Sequence, residues 1–208
     1  MEGDSRKDLL KDNISFLSHL AENFAFINYP ITLKKGLGML LLSFSGLQII
    51  SGQMAPPNEY QVKAVFLFNF AQFVEWPVAT FSTAGEPFVI GILGDDPFGN
   101  YLDETIAGEQ VLGHSVIVQR YNSIGDINNC QILFIGSNDP QKIKTALSGI
   151  LNRSILTVSD TNDFTGQGGM IGFVTQENRI RLQIKPMTAK GAGLNISSKL
   201  LRLADIIE

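Results

Sequence analysis

The chain has 208 residues, of which 44% are hydrophobic and 17% charged, so it can bury the core of an ordinary globular domain. Its net charge of −4, with no basic stripe along the sequence, argues against a nucleic-acid-binding surface, and we expect no nucleic acid among its partners. The only cysteine, Cys130, excludes an internal disulfide and is expected to be a small buried hydrophobe.

The first predicted element is an export signal. Two adjacent lysines precede the apolar run 36–50, and small residues follow it, which together indicate a cleaved signal peptide over residues 33–52. The apolar run is shorter than the ~20 residues that span a membrane. Cleavage after Gly52 is preferred to cleavage after Ala55, where a proline follows, and an uncleaved anchor is the competing interpretation.

Residues 1–32 precede that signal and do not look like the start of a signal peptide. We interpret them as an N-terminal extension or as a start codon assigned too far upstream. Residues 53–208 have the length of one domain, and the predicted signal places this domain in the periplasm.

Residues 62–77, VKAVFLFNFAQFVEWP, predict a helix that the terminal proline ends. Several phenylalanines and the only tryptophan lie in this run, so most of the helix circumference needs to be covered. A central core helix is one interpretation, and a partner-binding face is the other. In the second interpretation the partner contacts Phe68, Gln72, Glu75 and Trp76.

Strands and helices alternate through the rest of the chain. The predicted strands are 88–93, 114–120, 131–135 and 155–158, the helices are 98–106 and 139–151, and a hairpin of 170–175 with 179–185 precedes a helix at 197–207. This pattern predicts an α/β fold with a mixed, largely parallel sheet, helices on both faces and a C-terminal β-hairpin plus helix in a single domain.

Ligands of such sheets bind beyond the carboxyl ends of the strands. The candidate ligand-binding residues are Gly94, Asp95 and Phe98 after the first strand, Ser137 and Asn138 after the third, and Ser159 and Asp160 after the fourth. Ordinary turn and cap chemistry is the alternative interpretation of these positions.

No combination of residues indicates catalysis, and we expect neither a metal nor a cofactor. His114 is the only histidine of the predicted domain and lacks the spacing of a metal site. Asp96 is explained as a helix cap, and Ser197 or Ser198 caps the last helix instead of acting as a nucleophile. The glycines form neither a dinucleotide fingerprint nor a P-loop.

Six segments in order resemble the YfiR family: VKAVFLFNFAQFVEWP at 62–77, LGDDPFG at 93–99, CQILFI at 130–135, LTVSD at 156–160, GGMIGF at 168–173 and AGLNISSKLLRLA at 192–204. The resemblance implies a periplasmic regulator that binds the sensor region of an inner-membrane diguanylate cyclase and keeps cyclic-di-GMP low. It also implies that an OmpA-like outer-membrane lipoprotein can sequester the regulator. The chain departs from the family pattern in lacking its additional cysteines and in having Lys185-Pro186 where an asparagine is common.

Two classes of function follow from the sequence. In the first, the partner is the periplasmic domain of a diguanylate cyclase or a histidine kinase, and a homodimer is compatible with this class. In the second, the chain is an exported small-molecule-binding domain that delivers a ligand to a transporter or sensor. A deep pocket with a polar rim at the strand ends would favour the second class.

The predicted signal peptide has a direct test. The exported protein should begin near Gln53 and be found in the periplasmic fraction, because residues 33–52 are removed on export. N-terminal sequencing of the periplasmic form measures this. Recovery of a cytoplasmic chain that starts at Met1 would contradict both the signal peptide and the periplasmic location.

Overall fold

A computed structural model describes residues 58–81, 83, 85–176 and 179–208. They belong to the unit Pro56–Glu208. The signal peptide predicted at 33–52 and the segment preceding it lie outside the described residues.

The aromatic helix α1 covers Glu59–Phe73. It begins with a capping box in which Asn58 Oδ1 accepts from Tyr60 N at 3.2 Å and Gln61 Oε1 accepts from Asn58 N at 2.7 Å. It ends four residues before the predicted proline, because the chain becomes extended at Val74 and forms β1 (Val74–Glu75). The prediction of a helix to Pro77 was therefore wrong, since pairing of β1 with a later strand replaces the last helical turn.

The sheet contains eight strands in the order β10-β8-β7-β6-β5-β2-β4-β3. These strands are β2 (Phe88–Gly94), β3 (Gln110–Val111), β4 (His114–Tyr121), β5 (Ile132–Gly136), β6 (Leu156–Ser159), β7 (Ile171–Gln176), β8 (Arg179–Ile184) and β10 (Ala204–Ile206). Only the β7–β8 hairpin and the β3–β4 pair are antiparallel. The mixed, largely parallel sheet is confirmed. A separate two-stranded sheet joins β1 to β9 (Asn195–Ile196).

The remaining α-helices are α2 (Tyr101–Ile106), α3 (Pro140–Gly149), α4 (Pro186–Gly191) and α5 (Ser198–Leu201). Asp139 caps α3 by accepting from the amides of Gln141 and Lys142, and a proline follows at the first helical position, as the sequence predicts. Short 3₁₀ turns occur at Val78–Thr80 and Ile124–Asp126.

Helices cover both faces of the sheet, as predicted. On one face, Phe70 of α1 stacks on Phe173 with ring centroids 5.9 Å apart. On the other face, a hydrophobic cluster joins α3 to the central strands through Ile143, Ala146, Ile150, Val89, Leu133 and Ile135. The residues of the central strands β2, β5 and β6 alternate between these two cores, so the centre of the sheet is buried on both sides.

Two helices are shorter than predicted. The helix predicted at 98–106 begins at Tyr101, because Gly99 has a φ of +54° and the residues before it form a turn. The helix predicted at 197–207 is limited to Ser198–Leu201, after which the chain becomes β10 and pairs parallel with β8. The amphipathic pattern of this segment predicted one buried side formed by Leu200, Leu201, Leu203 and Ile206, but only Leu200 is fully buried, and Leu203 and Ile206 are exposed. It did not predict the added strand.

A close backbone contact between the carboxyl ends of β2 and β5 provides a stability test. A Cβ at Gly136 would collide with the backbone carbonyl of Asp95. Gly136→Ala should therefore lower the free energy of unfolding by about 3 kcal/mol or more, because backbone atoms cannot move aside cheaply. Urea denaturation measures the loss. Gly191→Ala is the matched control, since no atom lies within 4 Å of the added Cβ, and a similar loss there would contradict the proposed cause.

Candidate functional site

The carboxyl ends of β2 and β5 meet at a backbone contact. Asp95 N donates to Gly136 O at 2.9 Å. A Cβ at Gly94, which has a φ of +89°, would lie 2.5 Å from the same carbonyl oxygen. The two loops are thus packed against each other where an open sheet usually leaves its binding crevice.

The residues after β2 are engaged in structural contacts. Phe98 is buried, and its ring packs edge-to-face on Phe134 at 4.8 Å. Asp96 accepts from Phe98 N at 2.8 Å and binds Arg120 Nε at 2.7 Å. Arg120 also binds Asp103 through both of its Nη atoms, at 3.2 and 2.6 Å, so one guanidinium fixes the loop to β4. Asp96 therefore stabilises a turn instead of capping a helix.

Polar residues after β5 and β6 form a second network. Ser159 Oγ, which is buried, donates to Ile135 O at 2.7 Å and accepts from Thr161 N at 3.2 Å. Thr161 Oγ1 donates to Ser137 O, which links the two loops. Asn138 is exposed beside them. The structure therefore brings Ser137, Asn138 and Ser159 together, and the role of these positions in ligand binding stays a prediction.

Asp160 leads to the most distinctive charged group, Lys63 of α1. The side chain of Lys63 is only 3% exposed, and its Nζ lies 2.7 Å from Asp160 Oδ2 and 2.6 Å from Glu59 Oε1. Nζ is also 4.5 Å from the centroid of the Tyr60 ring. The first turn of α1 is thereby fixed to the carboxyl end of β6. The sequence indicates only the Glu59–Lys63 pair, by its i,i+4 spacing, and gives no sign of Asp160 as the third member.

The ionisation of these groups is linked. Burial alone would lower the pKa of Lys63, but the hydrogen bonds to Asp160 and Glu59 outweigh burial and the pKa is raised. The hydrogen bond from Lys63 holds the pKa of Glu59 below its ordinary value. Burial raises the pKa of Tyr60. Lys63 and Glu59 are thus both charged at neutral pH, and the contacts of Lys63 work as a structural clamp.

The candidate partner-binding residues do not share one helical face. Phe68 and Gln72 are half-buried on α1, whereas Glu75 lies on β1 and Trp76 follows it. Glu75 is exposed and accepts from Asn195 Nδ2 at 2.9 Å. The Trp76 ring packs edge-to-face on Phe88 at 5.1 Å. A helix through residue 77 was expected to carry all four residues, but they are divided between α1 and the segment that begins with β1. Their contact with a partner stays a prediction.

Three other residues singled out in the sequence have structural roles. His114 Nδ1 is 2.6 Å from Glu86 O, and its ring stacks on Phe81 at 3.8 Å. Cys130 is buried as predicted, and burial raises the pKa of its thiol to about 12, so little thiolate forms at neutral pH. Ser197 Oγ accepts from Leu200 N at 3.3 Å, which is the predicted cap.

Two grooves lie at the opposite end of the strands, beside the amino ends of β5 and β6. The larger, of about 440 Å³, is bounded by the end of α3, the segment before β7 and the end of α4. The smaller, of about 280 Å³, is bounded by residues 77–80 and the segment before β5. Arg153 and Ile155 line both grooves. No sequence motif indicates these grooves, because their walls come from five separate segments.

The Lys63 clamp can be tested by Lys63→Met, which keeps an unbranched side chain of similar length, without the terminal ammonium group, and so removes the charge. We expect a loss of about 1–3 kcal/mol in the free energy of unfolding at pH 7, because Glu59 and Asp160 are left as neighbouring carboxylates. Chemical denaturation measures the loss, and Lys142→Met, at an exposed position of α3, is the control.

The same variant should change the pH dependence of stability. The lowered pKa of Glu59 gives the wild type a contribution that is present above the ordinary pKa of 4.5 and is lost as pH falls through the lowered folded value. The raised pKa of Lys63 gives a contribution present below 10.5 and lost as pH rises through the folded value. The difference in the free energy of unfolding between wild type and Lys63→Met should thus become smaller at both low and high pH. A difference that does not change with pH would contradict the clamp.

No helix in the described part of the chain is long and apolar enough to cross a membrane.

Comparisons with known proteins identify the family of the chain. No curated protein matches the sequence. The family model described as YfiR/HmsC-like matches residues 60–205, which covers the helix α1 and the whole sheet through β10. This family is one of periplasmic regulators associated with cyclic-di-GMP signalling, and it is regulatory instead of catalytic. The chain belongs to the YfiR/HmsC-like family.

Proposed function

We propose that the chain is a periplasmic, non-enzymatic regulator that binds the sensor region of an inner-membrane signalling protein. A diguanylate cyclase is the partner we favour, and binding represses it and lowers cyclic-di-GMP. Membership of the YfiR/HmsC-like family over residues 60–205 is the observation that carries this proposal.

The described side chains support a regulator more than an enzyme. His114 binds a backbone carbonyl and stacks on a ring, the Cys130 thiol is buried with a raised pKa, and Ser197 caps a helix. Asp96 and Asp103 are held by Arg120. Each of these groups is used to stabilise the fold, so none of them is arranged as a nucleophile with an adjacent base.

The proposed organisation follows from export. Residues 1–32 are an extension or an over-extended start, residues 33–52 are the signal peptide, and residues 53–208 are the exported domain. A domain delivered in this way meets the periplasmic region of inner-membrane proteins, either a cyclase or a histidine kinase. An OmpA-like outer-membrane lipoprotein is a second proposed partner, which would withdraw the regulator from the inner membrane.

Gene deletion tests the proposed function. Loss of the protein should raise cellular cyclic-di-GMP several-fold, because a repressor of synthesis is removed. Extraction and quantification of the nucleotide by mass spectrometry measures the change, and re-expression of the wild-type gene should reverse it. An unchanged level in the deletion strain would exclude repression of a diguanylate cyclase.

The α1 face is tested by Phe68→Ala. Phe68 is half-buried, so we expect a small loss of stability but a 1–3 kcal/mol loss of partner binding, seen as failure to restore low cyclic-di-GMP in the deletion strain. Phe70→Ala is the comparison variant, because Phe70 is fully buried and its truncation should cost about 3–5 kcal/mol of stability. A loss of that size for Phe68→Ala would assign Phe68 to the core instead.

A further inference from the structure

The surface beside the amino ends of β5 and β6 has exposed apolar side chains around two grooves. We call it the amino-end surface and define it as residues 77–80, 129–131, 144–157, 167–170 and 187–192, which include the lining of the two grooves. In the described part of the chain, the three most exposed large apolar side chains border this surface: Val78 at 101%, Leu151 at 73% and Met187 at 69%. Exposed apolar side chains grouped around a groove are typical of interaction sites.

The same surface has polar atoms without partners. Among the described residues, Trp76 Nε1, Thr80 Oγ1 and Gln167 Oε1 are the three buried side-chain atoms that lack a hydrogen bond. Thr80 lines the smaller groove and Gln167 lines the larger one, while Trp76 adjoins Pro77 at the rim. Leaving such groups unpaired is costly, and because these atoms are buried, an incoming chain can pair with them only if the groove walls move.

The charge of the lining indicates what kind of chain binds. Lys144 and Arg153 line the grooves, and no acidic residue does. The Arg153 guanidinium is held in place by donating to Ile127 O and Asn128 O at 2.9 Å each. A fixed positive charge between a mainly apolar groove and a mixed polar groove is complementary to a segment that carries carboxylates beside apolar side chains.

We propose that the amino-end surface is the docking site for an acidic, apolar segment of a partner protein. The inference rests on the proposed function, since it assumes a regulator that acts by protein contact. It adds a second contact, beside the amino ends of β5 and β6, to the one proposed for the α1 face. Polypeptide is favoured over a lipid bilayer, because hydrocarbon would dehydrate the polar residues that line the smaller groove, among them Asn129, Gln131 and Ser154. It is favoured over a second copy of the chain, because a two-fold contact would bring the basic residues of both copies together.

Site-specific photocrosslinking in living cells tests the surface directly. A photoreactive amino acid is placed at position 151 or 187 of the full chain. Position 203, which is exposed and directly precedes β10, is the control. We expect adducts at 151 and 187 whose crosslinked peptide, identified by mass spectrometry, is acidic and apolar. Absence of an adduct above the control, an adduct with phospholipid alone, or an adduct with a second copy would each overturn the proposal.

A charge reversal provides the matched control. Lys144→Glu should reduce the adduct at least tenfold, whereas Lys142→Glu, two residues earlier on α3 and outside the groove lining, should leave it unchanged. Equal yields from the two variants would overturn the charge complementarity. The cyclic-di-GMP level in the same strains distinguishes failure of the proposed function from failure of the docking surface. If deletion raises this level and expression of Lys144→Glu still restores the low level, the proposed function stands and the docking surface is wrong.

Discussion

Burial of α1 against the sheet is the contact on which the rest of the domain depends. The helix has few polar residues, so it needs a broad apolar surface, which Phe173 and the central strands provide. Two further contacts fix its ends. Lys63 binds Asp160 at the first turn, and the strand after the helix pairs Val74 with Ile196. The apolar face supplies the free energy, and the two polar contacts set the position of the helix along the sheet.

This arrangement also accounts for stability without a disulfide. The only cysteine is buried between strands, where its thiol donates to Ile132 O at 3.0 Å and serves as a small core side chain. Both faces of the sheet are covered, so each central strand contributes to two cores at once. Two-sided burial lets a domain of this size fold by packing alone.

Most of the fold could be predicted from local patterns. The apolar runs of β2, β5 and β6 and the alternation in β8 predicted the sheet, and Asp139-Pro140 predicted the start of α3. The errors occurred where a distant strand competes with a helix. Residues 74–75 and 204–206 have helical patterns, but their amides and carbonyls pair with β9 and β8, and nothing local indicates those partners. The site was harder to predict for the same reason: the Lys63–Asp160 contact and both grooves join segments far apart in the chain.

The pairing of β1 with β9 has a consequence for when the chain can fold. Tyr60 of α1 can pack on Phe98 early, but Asp160 and Ile196 come about 100 and 120 residues after their partners Lys63 and Val74. The contacts that fix the two ends of the helix therefore cannot form until nearly all the chain has been synthesised. Contacts of such high sequence separation form late and make folding slow. The contacts that hold the finished domain together therefore leave the growing chain incompletely folded until its last strands are available.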